Sequence, residues 1–204
     1  MPIASVLFAL ALTTQGPIKL SNTFIKDSKT TYSVTLSIDE AEISGDVTFE
    51  ATDDKGKAVA KSNGIKMKMG GNEMDGSALE QALKFDEKGL ANGLEFENDK
   101  SAVAVICFAG YCPNAEVKVD SLFEIDEKRE GYTIKGTGKL IEVKEVDGKK
   151  QATLDYNMTV KPGDGSDGIA KFKSVIDIAT GKLISADGTL DIEGRTGTMK
   201  IKRK

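Results

Sequence analysis

Histidine and tryptophan are absent from the 204-residue chain, and cysteine occurs only twice. Without histidine the protein lacks the side chain best suited to moving protons near neutral pH, and the commonest neutral metal ligand. A serine nucleophile would have no ordinary base, so no catalytic triad can be named. Zinc would have to rely on carboxylates and the two thiols. Aromatic residues make up 6% of the chain, a poor supply of stacking platforms for sugars or bases. A basic surplus is missing as well: 28 Lys and Arg stand against 32 Asp and Glu, for a net charge of −4. Nucleic acid is therefore excluded as the main partner, since phosphate binding needs a net basic face. These absences point away from an enzyme and imply no cofactor and no metal.

Long apolar runs are also missing. The longest, "PIASVLFALAL" at residues 2–12, is too short to span a bilayer but matches the apolar region of a secretory signal. Ala9-Leu10-Ala11 offers a small-x-small cleavage site, although no Lys or Arg precedes the run. The reading is a signal peptide over 1–16 and an exported domain over 17–204, located in the periplasm, the cell envelope or the medium, with no transmembrane segment in the mature chain. The alternative is a buried first strand or helix. No cysteine follows the run directly, which argues against a lipid-modified terminus.

What the chain does have is alternation. In "TYSVTLSI", Tyr32, Val34, Leu36 and Ile38 alternate with hydroxyl residues, and in "ATLDYNMTV" Ala152, Leu154, Tyr156, Met158 and Val160 do the same with polar neighbours. This period marks antiparallel strands with one apolar and one wet face. Asp54-Lys55-Gly56, Glu87-Lys88-Gly89, Asp147-Gly148 and Asp187-Gly188 supply turn chemistry between the runs. The expected fold is all-β, an antiparallel meander forming a curved sheet, half-barrel or barrel. One short helix is expected near 77–84, where Ser77 and Glu80 form a capping-box pattern ahead of Ala82 and Leu83. The chain also repeats: 43–61 aligns with 134–154, and 84–97 with 175–193. Two pseudo-repeats, about 28–108 and 113–204, follow from that alignment.

At the seam between them, "PNAEVKVDSLFEI" (113–125) resembles the P-x-x-x-V-x-V-G-D-x-W element of a family of uncharacterised exported bacterial two-repeat β-proteins. The "GKLISADGT" and "FDEKGL" hairpins are similar to that family's turns. Asp120 and Ser121 stand where the family has Gly-Asp, and Phe123 stands in the tryptophan's place. The resemblance implies export and a duplicated β fold, and supplies no catalytic residues.

The cysteines sit in "CFAGYC" (107–112). With "SAVAVICF" read as a strand, Cys107 and Cys112 flank a hairpin loop, and an even cysteine count in an exported protein favours a disulfide. Two free buried thiols, or redox or metal chemistry, are the competing readings. "GDGSDG" (163–168) matches a dinucleotide fingerprint by letter, but it interrupts an antiparallel pattern where such a site needs a parallel βαβ unit, and Asp164 and Asp167 would repel a pyrophosphate, so it reads as a solvated hairpin loop. "MKIKRK" (199–204) reads as edge-strand lysines that discourage pairing rather than as a membrane patch.

Two functions remain. The first is a carrier that holds a hydrophobic, lipid-like ligand in an apolar groove lined by Val34, Leu36, Phe49, Met67, Leu154, Met158 and Ile176. The second is a structural or protein-interaction module of the cell envelope without ligand.

Overall fold

The computed structural model describes residues 16–62, 64–76, 78–94, 100–163 and 166–204. The expected signal peptide, apart from Gly16, and the Ser77 cap lie outside these residues. In chain order the elements are β1 (Ile18–Leu20), β2 (Lys29–Ile38), β3 (Ala41–Ala51), β4 (Lys57–Ser62), β5 (Lys66–Met69), β6 (Asn72–Asp75), β7 (Leu79–Phe85) and β8 (Ala91–Asn92). Then follow α1 (Lys100–Ala109), β9 (Ala115–Val117), β10 (Leu122–Arg129), β11 (Tyr132–Val146), β12 (Lys149–Pro162), β13 (Gly168–Asp177), β14 (Leu183–Ile192) and β15 (Arg195–Arg203). The fold is all-β with one short helix.

Thirteen strands form one antiparallel sheet in the order β10-β11-β12-β13-β14-β15-β2-β3-β4-β7-β8, with the β5–β6 hairpin branching from β3. The expected alternation drives it: along β12, Ala152, Leu154, Tyr156, Met158 and Val160 are buried while Asp155 and Asn157 are exposed. Asp147-Gly148 joins β11 to β12 with both residues at positive φ, 51° and 73°. That geometry matches the right-handed twist of the strands it joins. The strand order is consistent with two pseudo-repeats, because the aligned segments 43–61 and 134–154 become the β3–β4 and β11–β12 hairpins.

The sheet nearly closes into a barrel. Its outer strands, β10 and β8, share no backbone ladder among the described residues, and side chains bridge them instead. Arg129 of β10 pairs with Asp86 and Lys88 Nζ lies 2.5 Å from Glu127 Oε1 of β10, both across to the turn before β8, and within β10 Arg129 Nη1 lies 3.1 Å from Glu127 Oε2. The Tyr132 hydroxyl donates to the Ala91 carbonyl at 2.7 Å.

The helix is not where it was expected. Residues 79–85 form β7, whose inward face is Leu79, Gln81 and Leu83. Counting Gln81 as polar hid the alternation, yet it is buried and its Nε2 donates to the Gly93 carbonyl at 2.8 Å. Conversely, "SAVAVICF" belongs to α1, not to a strand. A continuous short apolar run has no period of its own to separate a buried helix from a buried strand. Here the surroundings decide. The helix sits inside the curved sheet against β2 and β3, with Ala102, Val103, Ala104, Ile106, Cys107, Phe108 and Ala109 buried. Its C-terminal carbonyls lack intrahelical partners. Ser174 Oγ on β13 donates to Ala109 O at 2.6 Å, and Tyr156 Oη on β12 donates to Tyr111 O at 2.7 Å.

The two departures from the resembled motif have structural explanations. Asp120 adopts φ 64°, the left-handed conformation for which the family uses glycine and which Asp tolerates better than most residues. Phe123 lies over Gly138, directly opposite it in the β10–β11 ladder, where an added Cβ would come within 2.3 Å of the ring. The glycine makes room for the ring, which meets Tyr156 edge-on at 6.1 Å.

Candidate functional site

Because α1 lies inside the curve of the sheet, each of its sides faces strand ends that it does not fill completely. Two hollows result. The larger is an open groove of about 630 Å³. Ala104, Val105 and Phe108 of α1 form one wall, and Val160, Ile169, Ala170, Leu190 and Ile192 of β12–β14 form the other. Ile169 and Ile192 are 43% and 37% exposed. Ser101, Ser166 and Glu193 supply a polar rim. This volume lies within the range of small-molecule sites, which are mostly apolar with few polar groups.

The smaller hollow, about 90 Å³, lies against Ile106, Cys107 and Gly110 of α1. Its lining is aromatic: Phe24, Tyr32, Phe49 and Phe85. Phe85 meets Phe24 at 5.8 Å and Phe49 at 5.9 Å, and Phe49 meets Tyr32 edge-on at 5.9 Å. Ser28, Thr30 and Lys182 complete it. The Lys182 ammonium donates to Ser28 Oγ at 3.4 Å and Thr30 Oγ1 at 3.5 Å. Burial pulls the Lys182 pKa below the usual lysine value, and the charge of Arg203 adds to that shift.

Of the seven residues expected to line a ligand site, Phe49 lines the smaller hollow. Val34, Leu36, Leu154, Met158 and Ile176 are buried in the packed core and line neither hollow. Met67 lies on β5, opposite Ile43 and Met74, in a hairpin that borders neither hollow. Inward positions in mid-strand meet α1 and pack densely, so space remains only toward strand ends. Val105, Ile169, Ile192 and Lys182 escaped the sequence reading, and for the first the cause is the helix taken as a strand. The Gly110 and Pro113 stop signals after "SAVAVICFA" were the available clue to that helix.

The expected disulfide is overturned: Cys107 and Cys112 are both free and buried. Cys107 is inside α1 rather than at the end of a strand, so no hairpin brings the pair face to face. The Cys112 thiol instead donates to the Gly181 carbonyl at 3.3 Å. Burial pushes the Cys112 pKa up to about 12 and raises that of Cys107 also, which leaves both as inert thiols. Among the described residues no group of three or more Cys, Asp or Glu side chains could hold a metal ion, and no helix is long and apolar enough to cross a membrane.

No protein-family profile and no curated protein matches the chain. Solved structures do overlap with it. A protein from Parabacteroides distasonis, provisionally described as a lipoprotein, is 9% identical with a TM-score of 0.33, covering 92% of this chain and 99% of that one. A LolA superfamily protein from Nitrosomonas europaea is 7% identical with a TM-score of 0.23, covering 89% of this chain and 84% of that one. Likeness of this degree is no guide to function.

Proposed function

We propose that the protein is an exported, non-catalytic carrier that holds a lipid-like apolar molecule in the groove between α1 and the ends of β12–β14. The observation that carries this reading is the groove itself: about 630 Å³, walled by aliphatic side chains and Phe108, with the inward-facing Ile192 left partly in water. Large apolar side chains exposed together at a concavity mark sites of contact with apolar partners more often than single surface leucines do. The lack of histidine supports binding over chemistry. Export rests on the N-terminal apolar run and on the motif resemblance. An envelope module without ligand is the competing reading.

Titration with an environment-sensitive naphthylamine probe tests the carrier, with native mass spectrometry after gentle purification to seek a co-purifying lipid. Saturable probe binding is expected, weakened about tenfold or more by Ile192→Glu, because removing one aliphatic contact of this size costs about 1.5–3 kcal/mol. Probe binding that never saturates, or that the substitution leaves unchanged, would favour the ligand-free module.

A further inference from the structure

The smaller hollow combines features that a packed core would not need. Lys182 is half-buried beside four aromatic rings, where a charge is costly unless it is paired. Among the described residues its ammonium donates to two hydroxyls, both at the long end of hydrogen-bond range. Neither it nor Arg203 forms an ion pair among the described residues. Arg203 is the last inward position of β15 after Met199 and Ile201, and it lies opposite Tyr32 in the β15–β2 ladder. One cation without a carboxylate, Lys182, therefore lines an apolar pocket together with the Ser28 and Thr30 hydroxyls, and Arg203 lies outside the lining but close enough for its charge to act on Lys182. The chain is acidic, with a net charge of −4, so a pair of cations left without carboxylates is not forced by composition.

We propose that this pocket is a second binding site, selective for a short-chain carboxylate whose anionic end sits on the Lys182 ammonium and whose tail lies among Phe24, Phe49 and Phe85. A carboxylate oxygen accepts from the ammonium and from the hydroxyls, replacing weak neutral contacts with charge-assisted ones. The volume sets the tail length. About 90 Å³ equals roughly three water volumes and falls short of the about 150 Å³ of an engineered cavity that takes benzene. A tail of a few carbons fits, and a long acyl chain does not. This site is separate from the groove, since α1 stands between them.

The test is an NMR titration of the full chain with hexanoate, butanoate, acetate, hexanol, dodecanoate and inorganic phosphate. Butanoate or hexanoate is expected to bind saturably, with hexanol, acetate and phosphate each at least tenfold weaker. Lys182→Met is expected to weaken carboxylate binding at least tenfold, Lys182→Arg to retain most of it, and Ile192→Glu in the groove to leave it unchanged. Thermal melts of each variant verify that the fold persists. Hexanol binding as well as hexanoate, or Lys182→Met binding as well as the parent, would overturn the assignment. So would phosphate or acetate binding equally, dodecanoate binding more tightly than the short acids, or no saturable binding at all. Probe binding in the groove is read separately in the same variants, so loss of one site is distinguishable from loss of the other.

Discussion

Lys182 shows how one residue trades stability for a charge in an apolar place. Its pKa is depressed in the folded chain, with burial as the first cause, so the folded state binds protons less readily than the unfolded state. For such a group the stability contribution is complete above the unfolded pKa of about 10.4 and is lost as pH falls through the lower folded value. At neutral pH the charged amine is therefore a net burden. Lys182→Met is expected to raise the melting temperature at pH 7, and the difference between variant and parent should shrink as the pH approaches 10. A variant that melts lower than the parent at pH 7 would show that the ammonium is held by partners strong enough to outweigh its desolvation. Lys182 was not legible in the sequence, where it is one lysine after Thr180-Gly181. What makes it unusual is the set of rings that β2, β3 and β7 bring beside it.

At the level of elements, the seam between β10 and β8 is held by side chains where a ladder would otherwise run. Glu127 is nearly buried, accepts from both Lys88 and Arg129, and lies 3.4 Å from the Tyr111 hydroxyl. Removing it takes the carboxylate from Lys88, which is partly exposed, while Arg129 keeps Asp86. Glu127→Ala should destabilise by about 1.5–3 kcal/mol, the usual range for losing hydrogen bonds to a charged group. Glu50→Ala, on a surface carboxylate that pairs with Lys29 and Lys61, should change stability by no more than about 1 kcal/mol. Urea denaturation of the two variants makes the comparison. Equal losses would mean that the seam contributes no more than surface pairing. The seam was invisible in sequence because Asp86 and Arg129 are 43 residues apart and meet only when the sheet curls. The helix was misplaced for a related reason: Val103, Val105 and Ile106 favour strands by propensity, and packing of most of the segment inside the curved sheet overrides that preference.

For the whole molecule, we propose that residues 17–204 are one domain and that the two pseudo-repeats do not fold apart. The β15–β2 ladder joins the C-terminal strand to the first long strand, and a single core cluster runs through both halves. One cooperative unfolding transition is expected. The buried thiols provide a probe independent of the backbone: Cys107 and Cys112 should react with a thiol reagent only as the far-UV circular dichroism is lost. A first transition that exposes one thiol while much of the strand signal remains would divide the domain in two.

The period-two alternation along Tyr32–Ile38 and Ala152–Val160, with glycine turns between the strands, was enough to determine an antiparallel β protein, because which face of a strand is wet is a local property written residue by residue. The lack of histidine likewise narrowed the chemistry before any coordinates existed. Which apolar positions pack solid and which border a hollow was decided only by the tertiary structure. Met158 and Ile192 both lie on the inward face of the sheet, yet one is sealed at mid-strand and the other is left at the rim, since space depends on where α1 ends against the curve of the sheet. The same holds for the two thiols, whose separation along the chain says nothing of their directions until the segment between them has coiled.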